Sequence, residues 1–105
     1  MKKNKKNSLK AAGWKVSSAA DFLELTPEEE SLIEIRLALA AFLKQRRLRK
    51  KITQLELAKA ISSSQSRVAK MEAGDPSVSI DLLLRSLLSL GASPKQLARI
   101  IATAS

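Results

Sequence analysis

The side chains of this sequence that are best suited to chemistry with a ligand follow three consecutive serines. Gln65, Ser66 and Arg67 come directly after this serine run, inside the stretch TQLELAKAISSSQSRVAKMEAG at residues 53–74. A glutamine amide carries a donor and an acceptor that match adenine N6 and N7, and arginine reaches guanine or a phosphate. The pattern therefore indicates hydrogen bonding to a base edge or to an anion.

The residue types needed for most catalysis are missing from the sequence. The chain has 105 residues with no histidine and no cysteine, which excludes a histidine base, a thiolate nucleophile, thiolate zinc ligands and disulfides. It also has no glycine-rich phosphate loop and no paired-carboxylate pattern apart from an acidic helix cap. We expect no enzymatic activity, no cofactor and no metal.

Two short helices are predicted to hold the polar residues. Thr53 and Glu56 form a capping box for the first helix, Ser64 caps a second helix that begins at Gln65, and Gly74 ends it in a left-handed conformation. The residues predicted to point inward are Leu55, Ala58, Ile61, Val68 and Met71. The alternative is that Gln65, Ser66 and Arg67 are an ordinary solvated helix face with no ligand. A capped pair of helices in a basic chain favours a helix-turn-helix instead.

Charge along the chain is arranged in blocks. The formal net charge is +9, and residues 36–51 carry seven basic residues and no acidic one, just before the first motif helix. Such a surface attracts phosphates, although basic residues also favour a helix C-terminus for electrostatic reasons. We expect at least one phosphate contact from Arg47, Arg49, Lys50 and Lys51.

The sequence resembles the XRE, or lambdoid repressor-like, helix-turn-helix family. The resemblance covers roughly residues 35–101 and is carried by Thr53, Gln54, Leu57, Ala58, Ser64, Gln65, Ser66, Val68, Met71, Glu72 and Gly74. It implies that Gln54 contacts a phosphate and braces Gln65. One departure is Ser62, which stands where the family usually has glycine, so the turn is expected to carry some backbone strain.

These arguments assign candidate site residues. The expected base contacts are Gln65, Ser66 and Lys70. The expected phosphate contacts are Gln54, Ser64, Arg67, Arg49, Lys50 and Lys51.

The remaining sequence predicts an all-α, five-helix, repressor-like DNA-binding domain at residues 26–105, with its motif at 53–74. Thr26, Pro27 and Glu29 begin a long helix that runs towards Lys50. Ser79 caps a leucine-rich helix that ends near Leu90 and stops at Gly91. Ser93, Pro94 and Gln96 begin the last helix.

Residues 1–25 form a separate segment, predicted to be a disordered basic tail and a short N-terminal arm. Residues 1–20 carry six lysines and no acid, which suits a disordered tail. Trp14, Val16 and Phe22 form a modest apolar cluster. We favour folding of this cluster onto the helical core, and the alternative is that it docks a protein partner.

The surplus of leucine and isoleucine near the C-terminus indicates a homodimer, with a monomer as the alternative. The expected contact residues are Leu87, Leu97, Ile100 and Ile101. A dimer would place two recognition helices about 34 Å apart on double-stranded DNA.

We expect a repressor that binds a palindromic operator. The alternative is an antitoxin of a type II toxin-antitoxin pair, similar to HigA-type antitoxins, which also neutralises a partner toxin. No apolar run nears the roughly 20 residues of a membrane span, so a cytoplasmic protein without a membrane partner is expected.

Overall fold

The computed structural model describes residues 24–104 of the chain. Trp14, Val16 and Phe22, together with the predicted basic tail, lie outside the described residues. The chain divides into two compact units, Met1–Leu32 and Ile33–Ser105, and the described part of the first unit is residues 24–32. The proposed domain start at residue 26 stays a prediction.

Five α-helices and no strand make up the regular structure of residues 24–104. They are α1 (Pro27–Arg49), α2 (Gln54–Ala60), α3 (Gln65–Glu72), α4 (Ile80–Ser89) and α5 (Pro94–Ala102). The prediction of an all-α fold with five helices is confirmed. None of these described helices is both long enough and apolar enough to cross a lipid bilayer.

Serine and threonine side chains define where the helices begin. The Oγ1 atom of Thr53 accepts from the amide of Glu56 at 3.0 Å, and the Glu56 carboxylate accepts from the amide of Thr53 at 2.7 Å. Thr26 with Glu29 and Ser93 with Gln96 form the same reciprocal cap. Ser64 and Ser79 each accept one hydrogen bond, from the amides of Arg67 and Leu82. Each cap satisfies amides that the helix itself leaves unpaired and contributes about 1 kcal/mol. The capping residues predicted from the sequence are therefore confirmed.

Apolar residues from all the helices of the second unit form one core. Its fully buried side chains include Leu39, Leu43, Leu57, Val68, Met71, Leu83 and Leu87. Burying each such side chain contributes about 1.5 to 3 kcal/mol relative to leaving it in water. Because residues of both α2 and α3 enter this core, the two motif helices are fixed to the rest of the domain.

One of the residues predicted to point inward from α2 does not do so. Leu55 is 48% exposed, whereas Leu57 is completely buried and Ala58 almost so. Leu57, Ala58 and Ile61 share one side of the helix, and Leu55 is turned away from that side by roughly a third of a turn. The inward position therefore belongs to Leu57 and not to Leu55.

Two residues of the motif adopt the left-handed backbone conformation. Gly74, after α3, has φ of 73°, as predicted for the residue that ends this helix. Ser62, in the turn between α2 and α3, has φ of 57°. A side chain in this region costs roughly 1 to 2 kcal/mol, so the strain expected from serine at this place in the turn is present.

Candidate nucleic-acid interface

The turn between α2 and α3 is held by backbone hydrogen bonds and by the core. The amide of Ser63 donates to the carbonyl of Ala58 at 2.7 Å, which reverses the chain immediately after α2. Ser64 then caps α3 through its Oγ atom, 3.1 Å from the amide nitrogen of Arg67. On the inner side, Val68 and Met71 are completely buried. The rotation of α3 about its own axis is thus fixed, and with it the side that α3 shows to solvent.

The outer side of α3 carries the residues assigned to base contacts. Gln65, Ser66 and Lys70 are all exposed, and so is Arg67. Gln65 and Ser66 lie in the first turn, where backbone N–H groups have no carbonyl partner within the helix and the helix dipole is positive. The start of α3 therefore presents polar side chains and free donors together, which suits contact with the edges of bases and with phosphates.

Exposed cations lie at the end of α1 and in the connection to α2. Arg49, Lys50 and Lys51 are all exposed, and Lys51 has a left-handed φ of 60°. The ammonium group of Lys50 lies beside the turn that follows α4, 3.9 Å from the place where a Cβ atom on Gly91 would stand. The three cations thus belong to one stretch of chain that leads into the motif, and the amine of Lys50 is directed towards Gly91.

Three arginines of α1 bind other parts of the chain. Arg36 donates to the carbonyl of Val78 in the connection between α3 and α4. Arg46 donates through Nε to the carbonyl of Leu90 at 3.0 Å. Arg47 donates to the carbonyl of Ile52 at 2.8 Å and is 7% exposed. These three arginines therefore attach α1 to the segments that follow α1, α3 and α4.

Arg47 was one of four cations of which at least one was expected to contact a phosphate. The structure buries Arg47, so this expectation rests on the exposed Arg49, Lys50 and Lys51. Its guanidinium forms a two-point ion pair with the carboxylate of Glu72, with N to O distances of 2.5 and 3.0 Å. The hydrogen bonds to Glu72 raise the pKa of Arg47 above its ordinary value. Three of its five N–H donors are occupied by Glu72 and Ile52, and the side chain is 9% exposed. A signal was present in the sequence, because Arg47 continues the spacing of four residues set by the buried Leu39 and Leu43.

Gln54, the first residue of α2, also binds Glu72. Its Nε2 atom lies 3.1 Å from Oε1 of Glu72, and the residue is half-buried. The family resemblance implied that the side chain of Gln54 would support that of Gln65. Within residues 24–104, however, the Gln54 side chain is hydrogen-bonded to Glu72 and not to Gln65. The amide nitrogen of Gln54 keeps a second hydrogen, and the Ser64 hydroxyl keeps its own hydrogen while accepting from Arg67. Both side chains therefore retain a donor for a phosphate.

Of the four residues predicted to form a dimer contact, two are buried in the core of the chain and two are at least partly exposed. Leu87 is completely buried and Leu97 is 7% exposed, because both fill the core of this chain. They are not available to a second copy, so these two assignments were wrong. Ile101 is 37% exposed and Ile100 is half-buried. Leu88, on the outer side of α4, is 46% exposed.

The fold and these side chains define a helix-turn-helix protein, and comparison with known families agrees. A helix-turn-helix family matches residues 43–97, from the last part of α1 into α5, which is more than half of the chain. The chain therefore belongs to the XRE family of helix-turn-helix proteins. It is a DNA-binding transcription regulator. No curated protein and no solved structure matches it.

Proposed function

We propose that this protein is a repressor that binds a palindromic operator as a homodimer and acts by occupying that site. The observation that supports the proposal best is the outer side of α3, where Gln65, Ser66 and Lys70 are exposed on a helix fixed by Val68 and Met71. Polar side chains on a firmly held helix are what direct readout of base edges requires.

The assignment of contacts follows from the same arrangement. The base edges are contacted by Gln65, Ser66 and Lys70. The phosphates are taken by Gln54, Ser64, Arg67, Arg49, Lys50 and Lys51. Base contacts select the sequence, whereas phosphate contacts fix the position of the protein on the duplex and supply most of the affinity for any DNA.

A dimer is supported by the apolar side chains that α4 and α5 leave in solvent. Leu88 and Ile101 are partly exposed, and Ile100 lies next to Ile101 in sequence, at the edge of the core. A symmetric contact between two copies would cover these residues and set two α3 helices about one turn of DNA apart. Because a repressor of this kind only has to occupy its site, no catalytic role is proposed for any residue.

The test is selection of a duplex from a random library by the purified chain, followed by footprinting and sedimentation. The expected result is a site with two inverted half-sites whose centres lie about 10 base pairs apart, or a multiple of that, bound by two copies. Enrichment of no sequence, or of a single half-site bound by one copy, would contradict the proposal.

A second role, that of an antitoxin which also neutralises a protein toxin, rests on the sequence of the N-terminal arm. Trp14, Val16 and Phe22 supply apolar and aromatic side chains of the kind that anchor protein contacts. DNA binding is common to both roles, so a test has to separate the arm from the motif.

A further inference from the structure

The acidic residue at the end of α3 is in an unfavourable place for helix stability. Glu72 is the last residue of the helix, where the dipole favours a cation, and its side chain is only 4% exposed. Its partner Arg47 has a side chain that is 9% exposed. Replacing a buried ion pair with apolar side chains is often neutral or stabilising, so folding alone does not explain this pair.

The hydrogen bonds of Glu72 show which parts of the domain it joins. Its carboxylate accepts two hydrogen bonds from Arg47 near the end of α1 and one from Gln54 at the start of α2. Arg47 also binds the carbonyl of Ile52 in the connection between these helices. One carboxylate thus fixes the end of α3 against the stretch that carries Arg49, Lys50 and Lys51.

We propose that Glu72 and Arg47 are positioning residues for sequence-specific DNA recognition. They hold α3, which carries the base contacts, in register with the basic stretch before α2, which carries phosphate contacts. This inference rests on the function proposed above.

The physical reason is that recognition of an operator needs both kinds of contact at once. Gln65 pairs well with a base edge only within a narrow range of distance and angle, whereas Lys50 or Lys51 can follow a phosphate by rotating a flexible side chain. If α3 shifts relative to the basic stretch, phosphate contacts survive and base contacts weaken. Loss of the ion pair should therefore lower affinity for the operator more than affinity for random DNA.

The experiment uses the full chain and a double variant, Arg47→Met with Glu72→Leu, which removes both charges and leaves no unpaired one. Dissociation constants are measured on the duplex selected by the wild-type chain and on a scrambled duplex of equal length, together with a melting curve. The expected result is a folded protein whose preference for the operator falls about tenfold, which lies within the range that one base contact provides. The dependence of log K on log salt for the scrambled duplex should stay the same, because every phosphate contact remains.

Arg46→Met is the matched control. Arg46 also lies near the end of α1 and donates to a backbone carbonyl, that of Leu90, but it makes no hydrogen bond to α3 within the described residues. This variant should lose some stability and keep the wild-type preference for the operator. An equal loss of preference in Arg46→Met would overturn the inference, since any damage to α1 would then have the same effect.

A second variant decides the matter if the double variant does not fold. Gln54→Leu breaks the hydrogen bond to Glu72 and leaves the ion pair intact. It should lower the preference for the operator about threefold, in addition to any loss shared by both duplexes. If the double variant folds and keeps the wild-type preference, the inference is overturned and the proposed function is not. If the double variant does not fold, a wild-type preference in Gln54→Leu has the same consequence. A wild-type chain that shows no preference for any duplex would instead overturn the proposed function.

Discussion

Gly74 lies directly against Leu37 of α1: a Cβ atom at Gly74 would stand 2.6 Å from Cδ2 of Leu37. Gly74 also has φ of 73°, so an L residue there would be strained whatever the space. This close approach brings the end of α3 up to the first long helix. Leu37 belongs to an apolar stripe of the α1 sequence, and it is 51% exposed while it lies beside the glycine.

We expect Gly74→Ala to lower the free energy of unfolding by roughly 1 to 2 kcal/mol, the cost of a left-handed non-glycine residue. The overlap with Leu37 should add little, since the atom concerned is the end of a flexible and half-exposed side chain. A urea titration measures the change.

Ser62→Gly is the matched control, because it makes the opposite exchange in the same backbone conformation. It should raise the free energy of unfolding by about 0.5 to 1 kcal/mol, after allowance for the greater freedom of glycine in the unfolded chain. If both variants destabilise the protein, the left-handed conformations are not the cause.

The capping residues and the ends of the motif helices could be predicted from sequence because their signals are local. Thr53 and Glu56 are three residues apart, and so are Ser64 and Arg67, so each cap is contained in a single turn of helix. Gly74 was likewise recognisable, because glycine is the usual residue just after a helix.

The ion pair between Arg47 and Glu72 could not be predicted in the same way. Its members are 25 positions apart, and the basic block around Arg47 offers several cations of similar local context. The spacing of four residues from Leu39 and Leu43 indicates that Arg47 turns inward, but it does not identify Glu72 as the partner. The same limit applies to Leu87 and Leu97, because periodicity identifies an apolar side of a helix but not whether the chain itself covers that side.

The base-contact assignment predicts a selective effect of Gln65→Ala. The variant should lose about 1 to 3 kcal/mol of binding free energy on the selected duplex and little on a scrambled one. Ala73→Ser, an exposed change directly after α3 and two turns away from Gln65, is a control for general disturbance of the motif. Equal losses of Gln65→Ala on both duplexes would show that Gln65 contacts no base.

The phosphate assignment predicts an effect on salt dependence. Replacing Arg67 or Lys50 with alanine should weaken binding to every sequence and reduce the slope of log K against log salt by roughly 0.9 for each phosphate that is no longer neutralised. Lys95→Ala removes an exposed cation of α5 that is not among the assigned contacts, and it should leave the slope nearly unchanged. A residue whose replacement does not alter the slope is not at the DNA surface.

The dimer proposal predicts that Ile101→Asp gives a folded and mostly monomeric protein. Ile101 is 37% exposed, so the charge can stay in water in a monomer but would be buried in a contact between two copies. Operator binding should weaken strongly, because two half-sites are no longer bound together. Thr103→Asp, an exposed position near the same helix end, is the control. An intact dimer of Ile101→Asp in sedimentation would exclude this side of α5 as the contact.

The antitoxin alternative predicts that DNA binding and toxin neutralisation depend on different parts of the chain. Deletion of residues 1–24 removes Trp14, Val16 and Phe22 and leaves α1 to α5 intact. If these residues dock a toxin, the truncated protein should bind the operator nearly as well as the full chain and should fail to neutralise the toxin. The physical reason is that the deletion removes the anchors which would bury most apolar area on a partner, while the motif and its caps remain.

Trp14→Ser with Phe22→Ser in the full chain is the control for length and charge, because it keeps every lysine of the tail. The measurements are a melting curve, an operator titration and copurification with the product of the neighbouring gene. If residues 1–24 stabilise the helical domain instead, melting temperature and operator affinity should fall together in the deletion. That result, with no partner copurified by the full chain, would leave a repressor without a toxin, because the aromatic side chains would then be accounted for by the fold.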